Sequence, residues 1–379
     1  MQTPKIIWTF WDKGEDNLPN FLRICLESWR KQHPGWRVVI LSPSNVLEYL
    51  DADTDLPATF FDIERKSLQS DVIRLAILAR HGGIYTDISS LAMSNFAEEV
   101  RGTLDAGASI YAFHNFGWIS DFVAAWFLAC KPREPLMVEW SRAFNALFEG
   151  RTTDHGICTH PYFDGVDLSD YHSNAVGDNH PSQSWADYLI VNVALRGVLH
   201  HNTELSEHFR QTACLVDQGH GNVRSPTRLF DHADEVGVDL CADTYKKLGF
   251  PDRSMYVCSQ LLNAQGHEAM RTAASAPFVK FFQAGKVCAA LENTSFSELS
   301  SSSGIAQLID ISLESKPLPA DPIPRLGRRQ AALRAALTLV GRAVSFRRSA
   351  NKAAITKGIS KSGLKVRSPA KRLLEDAIV

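Results

Sequence analysis

Two adjacent glycines, Gly82 and Gly83, divide residues 64–88 into two unlike halves. Before them Leu68, Val72, Leu75, Ile77 and Leu78 recur at the spacing of one helix face. After them residues 84–88 form a short β-rich run that ends beside Asp87. Glycine reaches the left-handed backbone that stops a helix without steric cost, so the pair predicts a helix terminus followed at once by a strand. A helix feeding a strand this tightly is a unit of an α/β sheet. Ligands of such sheets bind beyond the carboxyl ends of the strands, and Asp87 is delivered to that edge.

The flanking pattern extends the sheet. Residues 5–10 predict a first strand, and residues 20–32 a helix with Phe21, Ile24, Cys25, Leu26 and Trp29 on one face, closed by Pro34-Gly35. Residues 36–41 predict a second strand, and Ser44 a cap for a helix carrying Val46, Leu47 and Leu50. This β-α-β-α opening predicts an α/β fold with a mainly parallel, Rossmann-like sheet flanked by helices. Further along, residues 109–114 predict a strand, residues 119–131 and 135–148 two helices, and residues 183–199 another. Residues 213–217 and 277–282 predict late strands, and the Gly-, Asp- and His-rich stretch 151–181 a long loop of the functional kind. Serine- and proline-rich composition over 300–304 and 316–324 reads as linker. The organisation expected is a catalytic domain over 1–295, a linker over 296–326 and a tail over 327–379.

Charge separates the tail from the rest. Residues 325–379 hold fourteen Lys/Arg against two acidic residues, a net +12, while the preceding residues carry −14. Leu333, Leu337, Val340 and Val344 fall on one helical stripe among these arginines. A basic amphipathic helix lies on anionic lipid, so the tail's expected partner is an anionic membrane surface. No aromatic residue follows Phe346 among those charges, so nucleic acid is not expected. The seven cysteines (25, 130, 158, 214, 241, 258 and 288) are scattered, with no C-x-x-C pair. That argues against a disulfide framework or zinc site and for free thiols in a reducing compartment. Apolar runs such as 72–79 are too short to cross a bilayer, and the first residues lack a signal-peptide pattern. A cytoplasmic protein, peripheral on the inner face of the cell membrane, is the expectation.

Chemistry concentrates around Asp87. An enzyme that releases a diphosphate must neutralise it, and a hard divalent cation held by carboxylates and by the phosphates themselves serves that purpose. The plainer alternative is that Asp87 caps the next turn. Asp71 and Arg74 stand three apart and share a helix face, as an ion pair or as ligand contacts. In the first strand, alternation groups Trp8 with Phe10 and Thr9 with Trp11. Thr9 and Trp11 are favoured for the site, with Asp12 as a ribose or base contact and Tyr85 packing with its hydroxyl toward the ligand. The histidines and aspartates of residues 151–181 match no metal-ligand spacing. Lys280, ending a late strand, is either solvated or a diphosphate contact.

The run SDVIRLAILARHGGIYTDIS, residues 70–89, resembles the pattern S-D-x-x-R-x-x-x-L-x-x-x-G-G-x-Y/W-x-D-x-S/T/D of DxD-type sugar transferases, and most closely their capsular polysaccharide synthesis branch. PKIIWTFWDKG (4–14), SDFVAAWFLACKPREPLMVEW (120–140), ADYLIVNVAL (186–195) and APFVKFF (276–282) resemble further segments of that family. The resemblance implies a GT-A-like nucleotide-sugar-binding fold. It implies transfer of a sugar, with retention, from a nucleotide-diphosphate donor to a glycan or lipid-linked acceptor, assisted by manganese or magnesium. It implies that Asp71 faces the donor, that Arg74 approaches sugar or diphosphate, and that Asp87 holds the metal. Ser89 stands where the family at large often has a second aspartate, and would assist as a hydroxyl ligand. Asp217 and His220 are candidates for the missing ligand. The rival expectation is a catalytically silent relative that binds glycan or lipid carrier as an assembly partner.

Overall fold

A computed structural model describes residues 2–92, 94–114, 119–172 and 184–217, together with two short strands at 227–228 and 278–280. In chain order the elements are β1 (Ile6–Phe10), α1 (Asn20–Gln32), β2 (Arg37–Leu41), α2 (Lys66–His81), β3 (Gly83–Thr86), β4 (Ser90–Ala92), α3 (Phe96–Asp105) and β5 (Ile110–His114). Then follow β6 (Phe127–Cys130), α4 (Pro135–Ala146), α5 (Ser169–His172), α6 (Trp185–Tyr188), α7 (Ile190–His201), α8 (Thr203–Thr212), β7 (Cys214–Asp217), β8 (Thr227–Arg228) and β9 (Phe278–Lys280).

The main sheet has the order β2-β1-β3-β6-β5-β7. Its strands run parallel except β6, which pairs antiparallel with both β3 and β5. The carboxyl ends of β1, β2, β3, β5 and β7 therefore share one edge, and β6 brings its beginning there instead. A second, three-stranded sheet has the order β4-β9-β8.

Pleat parity decides which residues face which helices. Trp8 lies in register with Tyr85, and Tyr85 with Leu128, so these three share a face. Helix α2 covers that face: Tyr85 bonds Ser70, and the Cys130 thiol, on the same side as Leu128, reaches the Leu78 carbonyl. Phe113 and Phe127 occupy the opposite face, where Phe96 of α3 packs against them. Helix α1 lies on that side too: Trp29 donates to the Ser90 carbonyl, and the Ala97 N–H donates to His33 Nε2.

The double glycine has a steric reason. Gly82 and Gly83 have φ of 63° and 93°. A Cβ on Gly83 would lie 2.7 Å from the Ile6 carbonyl oxygen, and one on Gly82 would meet the Pro132 backbone with the Lys131 carbonyl carbon at 2.7 Å. Here β3 enters between β1 and β6 with no room for a side chain. The Gly82 carbonyl, exposed by the turn, accepts the Trp8 indole N–H at 2.9 Å.

Several sequence expectations need correction. Residues 119–131 do not form a helix; they form an irregular segment and then β6. The run Phe127-Leu128-Ala129-Cys130 is uniformly apolar because a central strand is covered on both faces, and such a run has no period to separate it from a buried helix. The expected helix after Ser44 shrinks to a single 3-10 turn at Val46–Glu48, and Asn45 spends its side chain on Ser42 and Ile40 instead of capping it. The helix expected over 183–199 is broken at Leu189 into α6 and α7. Cys25 and Cys130 are both fully buried. The linker and tail, residues 296–379, lie outside the described residues.

Candidate functional site

Helix α2 brings Ser70, Asp71 and Arg74 to the carboxyl edge, and the Gly82-Gly83 turn returns the chain along β3 so that Asp87 arrives beside them. One guanidinium nitrogen, Arg74 Nη2, stands 3.2 Å from Asp71 Oδ1, 3.3 Å from Asp87 Oδ1 and 3.0 Å from Ser70 Oγ. The guanidinium also lies over the Tyr85 ring, 5.0 Å from its centroid, and the Tyr85 hydroxyl shares a 2.7 Å hydrogen bond with Ser70. Arg74 Nε is buried with no hydrogen-bond partner among the described residues.

Exposure grades across the group. The Arg74 side chain is 7% exposed and that of Asp71 14%, whereas Asp87 reaches 30%. Asp87 is thus the member that opens onto the edge. Its position is fixed through its backbone, because its N–H donates to the Trp126 carbonyl at the start of β6 at 2.9 Å.

Burial raises the Asp71 carboxyl to about 6, with Arg74 and Arg65 opposing the shift and Asp87 and Asp154 adding to it. Burial also works against the Arg74 charge, but Asp71, Tyr85 and Asp87 outweigh it, so its pKa rises. Burial pushes the Tyr85 phenol up as well. At neutral pH two carboxylates therefore face one guanidinium, a local charge of −1. Such a group accepts hydroxyls readily, and accepts a pyrophosphate once a further cation accompanies it.

The expected site residues do not all converge. Asp71, Arg74 and Asp87 do. Tyr85 is fully buried with its hydroxyl engaged by Ser70, so it supports Arg74 from beneath and does not open onto the edge. Thr9 is on the other face of the sheet, because the pleat places Trp8 with Tyr85; its buried hydroxyl makes no hydrogen bond among the described residues. Trp11 and Asp12 are half-buried just past β1 at the same edge, and the Trp11 indole donates to the Asn17 carbonyl at 3.3 Å. Ser89 is buried.

A cation here would have one open carboxylate, Asp87. No group of three His, Cys, Asp or Glu residues arranged to hold a metal exists among the described residues. That donor set fits an ion whose other ligands are supplied by a bound diphosphate, in the manner of magnesium. The side chain of Asp217, together with His220 and the Lys280 side chain, lies outside the described residues.

Four neighbours escaped the sequence reasoning. Arg65, just before α2, pairs with the buried Asp154 at 2.7 Å. Asp187 accepts the N–H groups of Gly156 and Cys158 at 3.1 and 3.2 Å. Tyr188 follows it on α6. Asp154 was visible only as one acidic residue in a polar loop, and Tyr188 as one aromatic in an apolar stretch; only the fold brings them within the electrostatic reach of Asp71.

Residues 1–163 match the family model described as capsular polysaccharide synthesis protein. Among curated proteins, the chain is 26% identical over 200 residues to glycosyltransferase afumC of Aspergillus fumigatus, covering 48% of this chain and 51% of that one. It is 27% identical over 172 residues to O-glycosyltransferase braB of Annulohypoxylon truncatum, covering 41% of each. The chain thus spans about half or less of the length of these relatives. A solved structure, the PaToxG glycosyltransferase, aligns at 12% identity with a TM-score of 0.34, over 66% of this chain and 80% of that one. Among the described residues no helix is long and apolar enough to cross a membrane.

Proposed function

We propose that this chain is a glycosyltransferase of GT-A-like fold that moves a sugar from a nucleotide-diphosphate donor to a growing surface glycan, capsular or of lipopolysaccharide type, with retention at the anomeric carbon. The observation that carries this reading is the convergence of Asp71, Arg74 and Asp87 at the carboxyl edge of the sheet. The relatives named as glycosyltransferases, and the matching family model, support it.

Each group has a task its chemistry suits. Trp11 and Asp12, past β1, receive the nucleotide end, where a flat ring stacks on a base. Asp71 accepts hydroxyls of the donor sugar. Arg74, already held charged by two carboxylates and by the Tyr85 face, offsets the diphosphate as it departs. Asp87 would hold magnesium or manganese, with Ser89 assisting and the diphosphate supplying further oxygens. When bound, that ion would withdraw charge from the leaving diphosphate.

Residues 1–295 would form the catalytic domain, 296–326 a spacer, and 327–379 a basic segment that keeps the enzyme on an anionic membrane face near lipid-linked acceptors. The second reading, a silent relative that binds glycan or lipid carrier, is favoured by one observation: Ser89 is buried and Asp87 is the only open carboxylate of the cluster.

Thermal shift separates the two. A ligand that binds the folded state raises its melting temperature. A panel of UDP-, GDP- and dTDP-sugars with and without manganese should produce a shift that Asp87→Ala abolishes. A folded protein unmoved by every donor would leave the silent relative standing.

A further inference from the structure

A cleft of about 450 Å³ opens between α4 and the end of α7, with Glu139, Arg142, Tyr162, Val198, His201 and Asn202 among its lining residues. That volume falls in the range of ligand sites, roughly 300–1,000 Å³. None of Asp71, Arg74 and Asp87 lines it. The two helices are tied to each other where the Trp140 indole donates to the Val191 carbonyl at 2.8 Å. Tyr162, on the 3-10 turn Pro161–Phe163, is half-buried and firmly seated. Its N–H donates to His160 Nδ1 at 3.1 Å, and its carbonyl accepts from His201 Nε2 at 2.7 Å. One edge of its ring rests on the bare backbone of Gly197: a Cβ there would run into Cε1, with Cζ at 3.1 Å and Cδ1 at 3.2 Å. Glycine inside a helix is destabilising in itself, and here the missing side chain is the space the ring occupies. The polar groups around the ring keep hydrogen-bonding capacity to spare. The Tyr162 phenol bonds none of the described residues. Asn202 Oδ1 accepts the Leu205 N–H, which leaves its NH2 group to donate. Arg142 gives Nε and Nη2 to Glu139, which leaves Nη1 with two hydrogens and the carboxylate with further lone pairs.

We propose that this cleft is a second carbohydrate site, which holds an uncharged glycan chain with the Tyr162 ring against the C–H face of one sugar and Glu139, Arg142 and Asn202 on its hydroxyls. The physical reason lies in the ligand. A pyranose has an apolar C–H face and a rim of hydroxyls, each of which both donates and accepts. It therefore needs an aromatic surface with donors and acceptors interleaved beside it. Arg142 and Asn202 donate, Glu139 accepts, and the Tyr162 phenol does either. The charges of Glu139 and Arg142 cancel, so the cleft has no excess of one sign to select an ion. An apolar ligand would leave these groups unpaired, which is costly. A chain gripped here is anchored apart from the Asp71–Arg74–Asp87 cluster. That the chain is the acceptor rests on the proposed sugar transfer; that the cleft binds it does not.

The test uses the full chain and isothermal titration with four probes: maltohexaose, cellohexaose, mannohexaose and chitohexaose. At least one should bind wild type. Tyr162→Ala should weaken that probe about fivefold to tenfold, the range of one aromatic contact. Tyr162→Phe, which keeps the ring, should stay within about threefold of wild type. Arg142→Ala, at a side chain 72% exposed, leaves the fold alone and should weaken the probe about threefold to tenfold through lost hydrogen bonds. Asp87→Ala should bind it as wild type does. Melting curves confirm the fold of each variant, and Arg142→Ala decides if Tyr162→Ala does not fold. Wild type binding none of the four probes overturns the inference. So does a folded Tyr162→Ala that binds as tightly as wild type, or a loss that follows Asp87→Ala in place of the cleft variants. Each of these leaves the sugar-transfer reading intact, since that rests on nucleotide sugars. A chain that binds the oligosaccharide in this cleft and no nucleotide sugar keeps the inference and removes the transfer.

Discussion

Arg74 and Asp87, thirteen residues apart in the chain, meet at 3.3 Å on either side of the Gly82-Gly83 turn. The contact joins the middle of a helix to the end of the next strand. It exists because the turn returns the chain antiparallel to the helix within two residues, so the charge on α2 and the charge after β3 reach the same edge of the sheet.

Asp87→Ala should abolish most transfer while leaving the fold alone. Removing a charge aimed at the departing diphosphate costs about 100-fold or more in kcat. The side chain is 30% exposed, so the melting temperature should move little, as for other open positions. A transfer assay and a calorimetric scan on the same preparation check both halves.

Asp71 should make folding stability depend on pH in an unusual direction. Its carboxyl titrates near 6 in the fold against 3.8 for the ordinary group. A raised value means that the folded state holds the proton more tightly. This contribution is fully present below pH 3.8 and is lost as pH rises through 6. Asp71→Asn removes the effect, so relative to wild type it should gain roughly 3 kcal/mol between pH 4 and pH 7 in urea unfolding, while losing donor binding. An unchanged gap would show that Asp71 keeps an ordinary affinity for its proton.

His33 should act in the opposite sense. It is fully buried, its Nε2 accepts the Ala97 N–H, and its Nδ1 lies 2.9 Å from the Trp29 carbonyl, which fixes the neutral ring. Burial lowers its pKa from 6.5 to about 4. The stabilisation is present above pH 6.5 and is lost as pH falls through 4. His33→Gln, which keeps a donor and an acceptor, should gain roughly 3 kcal/mol on wild type between pH 7 and pH 4 by the same measurement. The windows of His33 and Asp71 overlap with opposite signs, so wild type should show a flatter profile than either variant.

Gly83→Ala should destabilise the protein by several kcal/mol, since the added methyl meets the Ile6 carbonyl at 2.7 Å and φ is 93°. Chemical denaturation gives the magnitude. The residual folded fraction should also bind donors more weakly, because any relief of the clash shifts β3 and with it Asp87.

Much of the first half of the fold was legible in the sequence. Helix α1 falls on residues 20–32 as its periodicity requires, and α2 and β3 meet at the glycine pair. What the sequence hid has a physical reason in each case. Strand β6 carries no alternation because both its faces are covered. The three-residue β4 and the helices α3 and α8 gave signals too short or too polar to separate from loop. The Asp71–Arg74 pair was legible as a shared helix face. Its meeting with Asp87 needed the turn geometry, and the approach of Arg65, Asp154 and Tyr188 needed contacts between segments distant in the chain.

Trp126 does two unlike things. Its ring stacks on Phe113 at 5.5 Å with the planes 13° apart, and its carbonyl holds the Asp87 N–H. An aromatic interior and an acidic rim are thereby joined by one peptide tether. Trimming Phe113 to leucine would put slack in that tether, and a substitution made among hydrocarbons would be felt as a wandering carboxylate.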